Sequence, residues 1–464
     1  MKTRSYLYGG LTTTLNIIIY ALTLGNYLWL EGRVRRGYFR NWLRRFGYRP
    51  RRFVQPTTED EIVNLIKTST GIRTFGAGHS FNRGVLADDT LVSLDAYSGV
   101  IRREPGNRVA LKGGTRVRDA SKLLLAQGLA FENLPSHDAQ SIAGIISTDV
   151  HGTGRKWGFV SEEVASIKLI DGKGDVYELQ PDNDLFKAAI GGIGAVGIIT
   201  EVTVKAVPRF NVEQKVELST WSFVKENLDD LIQKNVHLSL YLFPFTDRCQ
   251  INTWNPTPEK KSMLGPLREF IDISIDALGA AWIGNLVAYS GRLEKWSDCL
   301  TRIKRGTDLV MESYKAFHRS IYHLHQELEF AVPFENTVDV CDRFKKLYED
   351  MYEKEKLPYT LFEVRFTPED HVRTLIGPGR ERRSTWLDLL ADDSHGFEKY
   401  FAEAEKLMKK VDARPHPGKF NESFTKEDMM RLHQNYFVRF LDLVKQHDPE
   451  RKFANDFTRR LFGD

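Results

Sequence analysis

The chain has 464 residues, is 41% hydrophobic and carries 66 basic against 62 acidic side chains, so it can fill a core across two or three domains and is neither disordered nor uniformly basic like a nucleic-acid-binding protein. Cys249, Cys299 and Cys341 are odd in number, far apart and free of Cys-x-x-Cys pairing, which argues against a disulfide framework or a thiolate metal site and favours a reducing compartment. The net charge of +4 hides an asymmetry: residues 1–52 hold Lys2, Arg4 and nine arginines from Arg33 to Arg52 against Glu31 alone, leaving the remaining chain at −6.

From Ser5 to Leu30 no residue is charged, a run of 26 that exceeds the roughly 20 residues needed to cross a bilayer core. Thr12, Thr13, Thr14, Asn16 and Asn26 dilute it. The run predicts a membrane-spanning or signal-anchor helix, with an interfacial or buried helix as the alternative, and the arginines that follow predict a body on the cytoplasmic side. Phe39, Trp42, Leu43 and Phe46 fall at helical spacing among Arg40, Arg44 and Arg45, which predicts a basic helix lying on anionic headgroups or packed on its own domain.

Residues 57–68 read as a helix with Thr58 and Glu61 at capping-box spacing, and IRTF follows as a strand. TLVSL and RVALKGG predict strands, RDASKLLLAQG a helix stopped by Gly128, and VASIKLIDGKGDVYEL a hairpin turning at Asp171 and Gly172. IITEVTVKAVP ends this α+β region as an alternating strand. From about 209 to 410 the strands HLSLYLFPF, HQELEFAVP and TLFEVRFTP alternate with Lys- and Glu-rich helices, which predicts a second α+β domain.

Gly192, Gly194 and Gly197 fit G-x-G-x-x-G, but a helix-like stretch precedes them and a β-branched run follows, the reverse of a Rossmann turn. RTFGAGHSFNRG behaves differently. Gly76, Gly78 and Gly84 follow a strand with small Ala77 and Ser80 between, so backbone N–H groups can converge on a phosphate. A second small-residue loop runs from Ser147 to Gly154, and two such loops would suit a dinucleotide held without a Rossmann turn.

In order, GAGHSFN, LVSLD, GLAFENLPSHDAQSIAGIISTDVHGTG, AAIGGIGAVGIITEVTVKAVP, ELEFAVP, FEVRFT and RPHPGKF resemble the vanillyl-alcohol-oxidase-like, PCMH-type FAD flavoproteins, specifically the aldonolactone and alditol oxidases, over residues 53–420. The resemblance implies an α+β fold with a two-subdomain FAD-binding domain at 53–208. It further implies a substrate, or cap, domain at 209–410 and a C-terminal segment, 411–464, that carries HPGK and packs back on the FAD domain. It implies FAD as cofactor, covalently attached through His79, where a neutral imidazole is held beside the flavin. Gly76, Ala77, Gly78, Ser80, Ser136, Ser141, Gly144, Thr148, His151, Gly152 and Thr153 then fall where the family contacts FAD, with backbone near Ile198 at the isoalloxazine edge. A His79 that only hydrogen-bonds a non-covalent FAD is the alternative.

Glu363 and Arg365 alternate along LFEVRFT, so both leave one face of a strand; on their own they would be a surface pair. The resemblance turns them toward the flavin and adds Lys419. It assigns Arg365 and Lys419 to stabilising a developing alkoxide, Glu363 to holding the polyol hydroxyls, and His416 to a proton or hydrogen-bonding role. His323, His325, Glu327 and Glu329 also share one strand face, but same-face positions about 6 to 7 Å apart cannot close around one ion, so no metal is expected. Three departures from the pattern bear on substrate and acceptor. Asp149 stands where a small residue is usual, Pro417 replaces a tryptophan, and Pro135 lies on oxygen's route to the flavin. The expected function is oxidation of a CH–OH group of an aldonolactone, alditol or related sugar, with oxygen (giving hydrogen peroxide) or another acceptor taking the electrons. The rivals are a lipid-linked sugar oxidase and a membrane-tethered, non-catalytic flavoprotein.

Overall fold

The computed structural model describes residues 2–22, 31–156, 158–302, 308–318, 323–355, 357–369, 371–392 and 396–463, with backbone alone at 2–6. The charge-free run is helical over Lys2–Leu22; its remainder, 23–30, lies outside the described residues. Its apolar part, Leu7–Leu22, is shorter than a bilayer core requires. Among the described residues, the helical run that is long and apolar enough to cross a membrane is instead an internal one, Gly265–Tyr289.

The expected basic helix around Trp42 is not formed. Arg33–Arg35, Tyr38–Arg40 and Gly47–Tyr48 make a three-stranded antiparallel sheet, and Phe39, Trp42 and Leu43 are buried. The reason lies in the backbone: Arg36, Gly37 and Arg44 adopt positive φ, which makes tight turns and interrupts any helix. The aromatic side chains, spaced as if for one helix face, pack inward against Phe75 and His79.

The next two sheets follow the predicted order. Thr58 caps the helix Glu59–Thr68 with both halves of the capping box present, and this helix links two strands of a parallel sheet ordered Arg52–Val54, Thr90–Ser93, Ile72–Phe75. A five-stranded sheet runs Val176–Leu179, Val164–Ile170, Ile198–Lys205, Arg108–Lys112, Val100–Glu104. The hairpin between its first two strands forms as expected, with Asp171 Oδ1 accepting from Lys173 and Asp175 backbone N–H groups. Ile198–Lys205 does not alternate between core and solvent. It sits between Val164–Ile170 and Arg108–Lys112, and all but Lys205 are buried, so even Glu201 is covered and is paired by Arg102 at 2.6 Å.

An eight-stranded antiparallel sheet takes its strands from residues 211 to 415, in the order Leu309–Glu312, Asn211–Thr220, Arg248–Thr257, His237–Leu242, Thr360–Thr367, Ser384–Asp392, His325–Pro333, Arg414–Pro415. The segment before Lys419 is thus the edge strand of this sheet. Beyond it, the helices Lys426–His447 and Asp456–Phe462 return to the first sheets. Ile72 N–H donates to Lys452 O at 2.8 Å, Arg73 donates to Phe453 O, and Asn455 donates to Gly84 O and Leu86 O. These bonds, one between backbones and the others from side chain to backbone, fix the glycine loop after Phe75 from behind.

Candidate active site

Between the first sheets and the eight-stranded sheet lies a cavity of about 320 Å³, within the range of small-molecule sites. His79, Ser80, Ser136, Thr148 and His151 line it from the two loops, and Glu363, Arg365, His416 and Lys419 from the opposite side. The structure therefore brings the catalytic candidates and five of the twelve cofactor-loop residues to one space. The others stand behind it. Ser141 caps the short helix Ile142–Ser147 by accepting from Gly144 N–H, and a Cβ on Gly76 would meet Ser141 Oγ at 2.3 Å, so only glycine lets the two loops touch. Gly78 has φ +63 and abuts Gly32, and Ala77 O accepts from Gly32 N–H at 2.6 Å. Gly152 leans on Asn133, and Thr153 O accepts from His237. The Ile198 side chain is in the core with Ile62 and Ile170, away from the cavity.

His79 is the most constrained of these groups. Its ring stacks on Trp42 (5.0 Å between centroids, 7° between planes) and faces His137 at 4.9 Å. Burial, then His137 and Arg116, push its pKa well below the usual value, so the imidazole is neutral. Its Nε2 is buried without a hydrogen-bond partner, which in a folded interior calls for a ligand. Burial also drives His137 and His416 to about 3. His416 Nδ1 accepts from Gly418 N–H at 2.9 Å, which leaves its proton on Nε2.

Opposite His79 is a buried charge cluster that spacing along one strand did not reveal. Arg365 binds Glu329 and lies 3.3 Å from Asp388, while Lys419 binds Glu327 and lies 3.4 Å from Asp388 and 3.6 Å from Glu329. Burial raises the Glu327 and Glu329 pKa values, but Lys419 and the His325 hydrogen bond at Glu327, and Arg365 and Lys419 at Glu329, outweigh it and hold both ionised; Asp388, with burial dominant, is raised well above its usual value. Two carboxylates thus match two cations and Asp388 keeps its proton, giving a neutral cluster. Asp388 is the residue sequence reasoning missed; its signal was an acid inside the apolar run WLDLL, since buried acids are almost always paired.

His151 donates to Glu329 at 3.0 Å, and with His416 these groups gather N and O atoms within 4.8 Å. A divalent ion there would sit beside Arg365 and Lys419, which already hold Glu329. On the suspected metal strand, His325 bonds Glu327, and His323 bonds Asp392 of the neighbouring strand. Of the three departures, Pro135 lines the cavity, whereas Pro417 does not and offers only its carbonyl, to Asn82 at 2.7 Å.

Asp149 is fully buried outside the cavity, at φ +46, accepting from Ser161 Oγ at 2.8 Å and pairing with His371 at 2.9 Å. It does not face the cavity, so it lends no support to a lipid-linked sugar as substrate; the N-terminal helix, the other feature behind that rival, is unaffected. Burial opposes charge on His371, but Asp149 and then Glu162 raise its pKa from the usual 6.5 to about 9. A pKa raised on folding contributes stability that is fully present below pH 6.5 and is lost as pH rises through 9. Asp149→Asn should therefore melt well below the parent at pH 6, by on the order of 3 kcal/mol, with the gap closing toward pH 9 and the KM for substrate unchanged. Melting curves across that range check this.

The comparisons with known proteins agree with this geometry. Residues 202–461 match the model of the D-arabinono-1,4-lactone oxidase family, and residues 50–180 match an FAD binding domain. The chain is 27% identical to L-gulono-1,4-lactone dehydrogenase of Mycobacterium tuberculosis over 89% of this chain and 96% of the relative. It is 25% identical to mouse (Mus musculus) L-gulonolactone oxidase over 91% and 98%, and 31% identical to D-arabinono-1,4-lactone oxidase of Saccharomyces cerevisiae over 50% and 46%. A crystal structure of cholesterol oxidase from B. sterolicum shares the fold, with a TM-score of 0.76 at 16% identity, covering 93% of this chain and 97% of that one. The chain belongs to the D-arabinono-1,4-lactone oxidase family and is an FAD-dependent oxidoreductase acting on the CH–OH group of aldonolactones.

Proposed function

We propose that the protein oxidises an aldonolactone with FAD tethered to His79, the reacting carbon being held by Glu363, Arg365 and Lys419. The observation that carries this reading is the buried, unpartnered His79 Nε2 in the same cavity as Arg365 and Lys419. Bound FAD supplies a hydride acceptor and a route for the electrons to oxygen or another acceptor. The chain supplies the rest. The glycine loop and the Ser136–Thr153 loop hold the cofactor's phosphates and ring, and Trp42 clamps the His79 ring. Arg365 and Lys419 set fixed positive charge beside the hydroxyl oxygen of the reacting carbon, where negative charge would develop. Glu363 is half-buried on the cavity wall and aligns the neighbouring hydroxyls. His416, neutral and protonated on Nε2, donates a hydrogen bond and does not act as a base. Residues 53–208 form the cofactor domain, 209–410 the substrate domain, and 411–464 join the two.

The N-terminal helix associates with a membrane in this reading, and the arginines after it keep the body on the cytoplasmic side. Anaerobic mixing with L-gulono-1,4-lactone or D-arabinono-1,4-lactone should bleach the flavin band; bleaching by an alditol alone would move the substrate class, and bleaching by none would overturn the proposal. Oxygen uptake and dye reduction, measured side by side, identify the acceptor. Glu363→Ala should raise KM about tenfold while lowering kcat by less, because it removes alignment and leaves the cations in place.

A further inference from the structure

We propose that the cavity holds a second sugar subsite, centred on Asn252, and that the substrate is an aldonolactone carrying a further neutral saccharide unit. This rests on the aldonolactone reading of the same cavity and narrows its substrate class. The cavity is too long for a free lactone. It runs across the eight-stranded sheet: from Arg365 the register leads to Ser239, then to Asn252, then to Val216, and the strand beyond contributes Leu309 to the wall. At the usual strand spacing, Asn252 stands roughly 10 Å and Leu309 roughly 19 Å from the Arg365 strand. A six-carbon lactone, with bonds of about 1.5 Å, reaches roughly 6 Å. Held by Arg365 and Lys419, it ends short of Asn252.

The groups along this arm select a sugar. Asn252 is 1% exposed and lines the cavity, and its Nδ2 has no hydrogen-bond partner. Gln250 donates to Asn252 Oδ1 at 2.8 Å, which fixes the amide orientation and leaves the Nδ2 hydrogens for a ligand. A buried donor without a partner calls for one. Opposite the sheet, Glu269, Asp272 and Asp276 line the arm from the helix Gly265–Leu278, three and then four residues apart and so on one side of that helix. A donor on the floor and carboxyl groups on the lid suit hydroxyls, which donate and accept. A hydrocarbon ligand would leave these polar groups buried against carbon. An anionic ligand would meet three acids, while the lysine and arginine among the described lining residues, Lys419 and Arg365, stand at the inner end. Asn252 and the lid lie outside the cofactor loops, so FAD does not supply the missing partner. Ala277, Gly279 and Ala280 keep the arm open with small side chains, and Gly279 begins a π-helical turn, a local widening frequent at functional sites.

Anaerobic bleaching of the full-length holoprotein separates the possibilities. L-Gulono-1,4-lactone bearing a glucosyl group on its tail hydroxyl should half-saturate the bleaching at a concentration at least about tenfold lower than L-gulono-1,4-lactone itself, because the added unit gains hydrogen bonds to Asn252 and the lid. Asn252→Leu should bring that ratio close to one. Equal half-saturation in the parent protein, or bleaching by the free lactone alone, overturns the subsite and leaves the arm as a passage to the reaction centre. Bleaching by neither compound overturns the aldonolactone reading along with it. A ratio that Asn252→Leu leaves unchanged also overturns the subsite. Should that variant not fold, Ala277→Phe, which narrows the arm from a half-buried position on the lid helix, must lower the ratio in its place; an unchanged ratio there overturns the proposal.

Discussion

His79→Ala protein should release its flavin into the supernatant when precipitated in acid, where the parent protein keeps the yellow colour in the pellet. The argument is geometric. Trp42 stacked at 7° and His137 at 4.9 Å leave the ring little freedom, and burial keeps it neutral with a lone pair to offer. A nucleophile held at one position against a bound partner gains a large effective concentration. A tether at His79 would also raise the cofactor's appetite for electrons, so turnover should fall roughly tenfold or more even where His79→Ala still binds FAD. Trp42→Ala should give a mixture of attached and released flavin, because it frees the ring without removing the nucleophile. A parent protein with all of its flavin in the supernatant sinks the tether and leaves the oxidoreductase intact; His79 would then be a hydrogen-bonding group on a non-covalent cofactor.

Local signals carried the fold of the first sheets. The Thr58 cap, the Asp171 turn and the short strands are written in residues within a few positions of each other, and each formed as read. The basic segment misled because its aromatics are spaced for a helix, while positive φ at Arg36 and Arg44, which no spacing rule anticipates, folds it into strands. Asp149 misled for another reason. A family departure beside a histidine looks like substrate recognition, yet the partner that explains it, His371, is distant in the chain and invisible until Ser161 and His371 meet over one carboxylate. Alternation along one strand put Glu363 and Arg365 on a common face but by itself read them as a surface pair, and only the resemblance turned them inward; what depends on pairing between strands was illegible. Register places Glu363 opposite Asp388 and Glu329 opposite Asp388 from the other side, so the central acid of the cluster is set by sheet order alone.

That register makes Arg365→Ala the most damaging single change expected in the cavity, by two separable routes. Removing the guanidinium leaves Glu329 with only Lys419 and His151 and shifts the neutral cluster to net negative charge, which should cost about 3–5 kcal/mol of stability. Removing a fixed cation from the place where alkoxide charge develops should also lower kcat about 100- to 1,000-fold. The two effects part company in Arg365→Met combined with Glu329→Gln. Glu327 then balances Lys419, Asp388 keeps its proton, and the cluster is neutral again, so the melting temperature should return to within a few degrees of the parent. Turnover should not return, because neutrality is restored without restoring positive charge at the reacting oxygen. Arg365→Lys supplies the third point: charge kept, fork geometry lost, with an intermediate kcat. Recovery of kcat in the neutral double variant would show that Arg365 only holds Glu329 in place, and the assignment of transition-state charge stabilisation would pass to Lys419 alone.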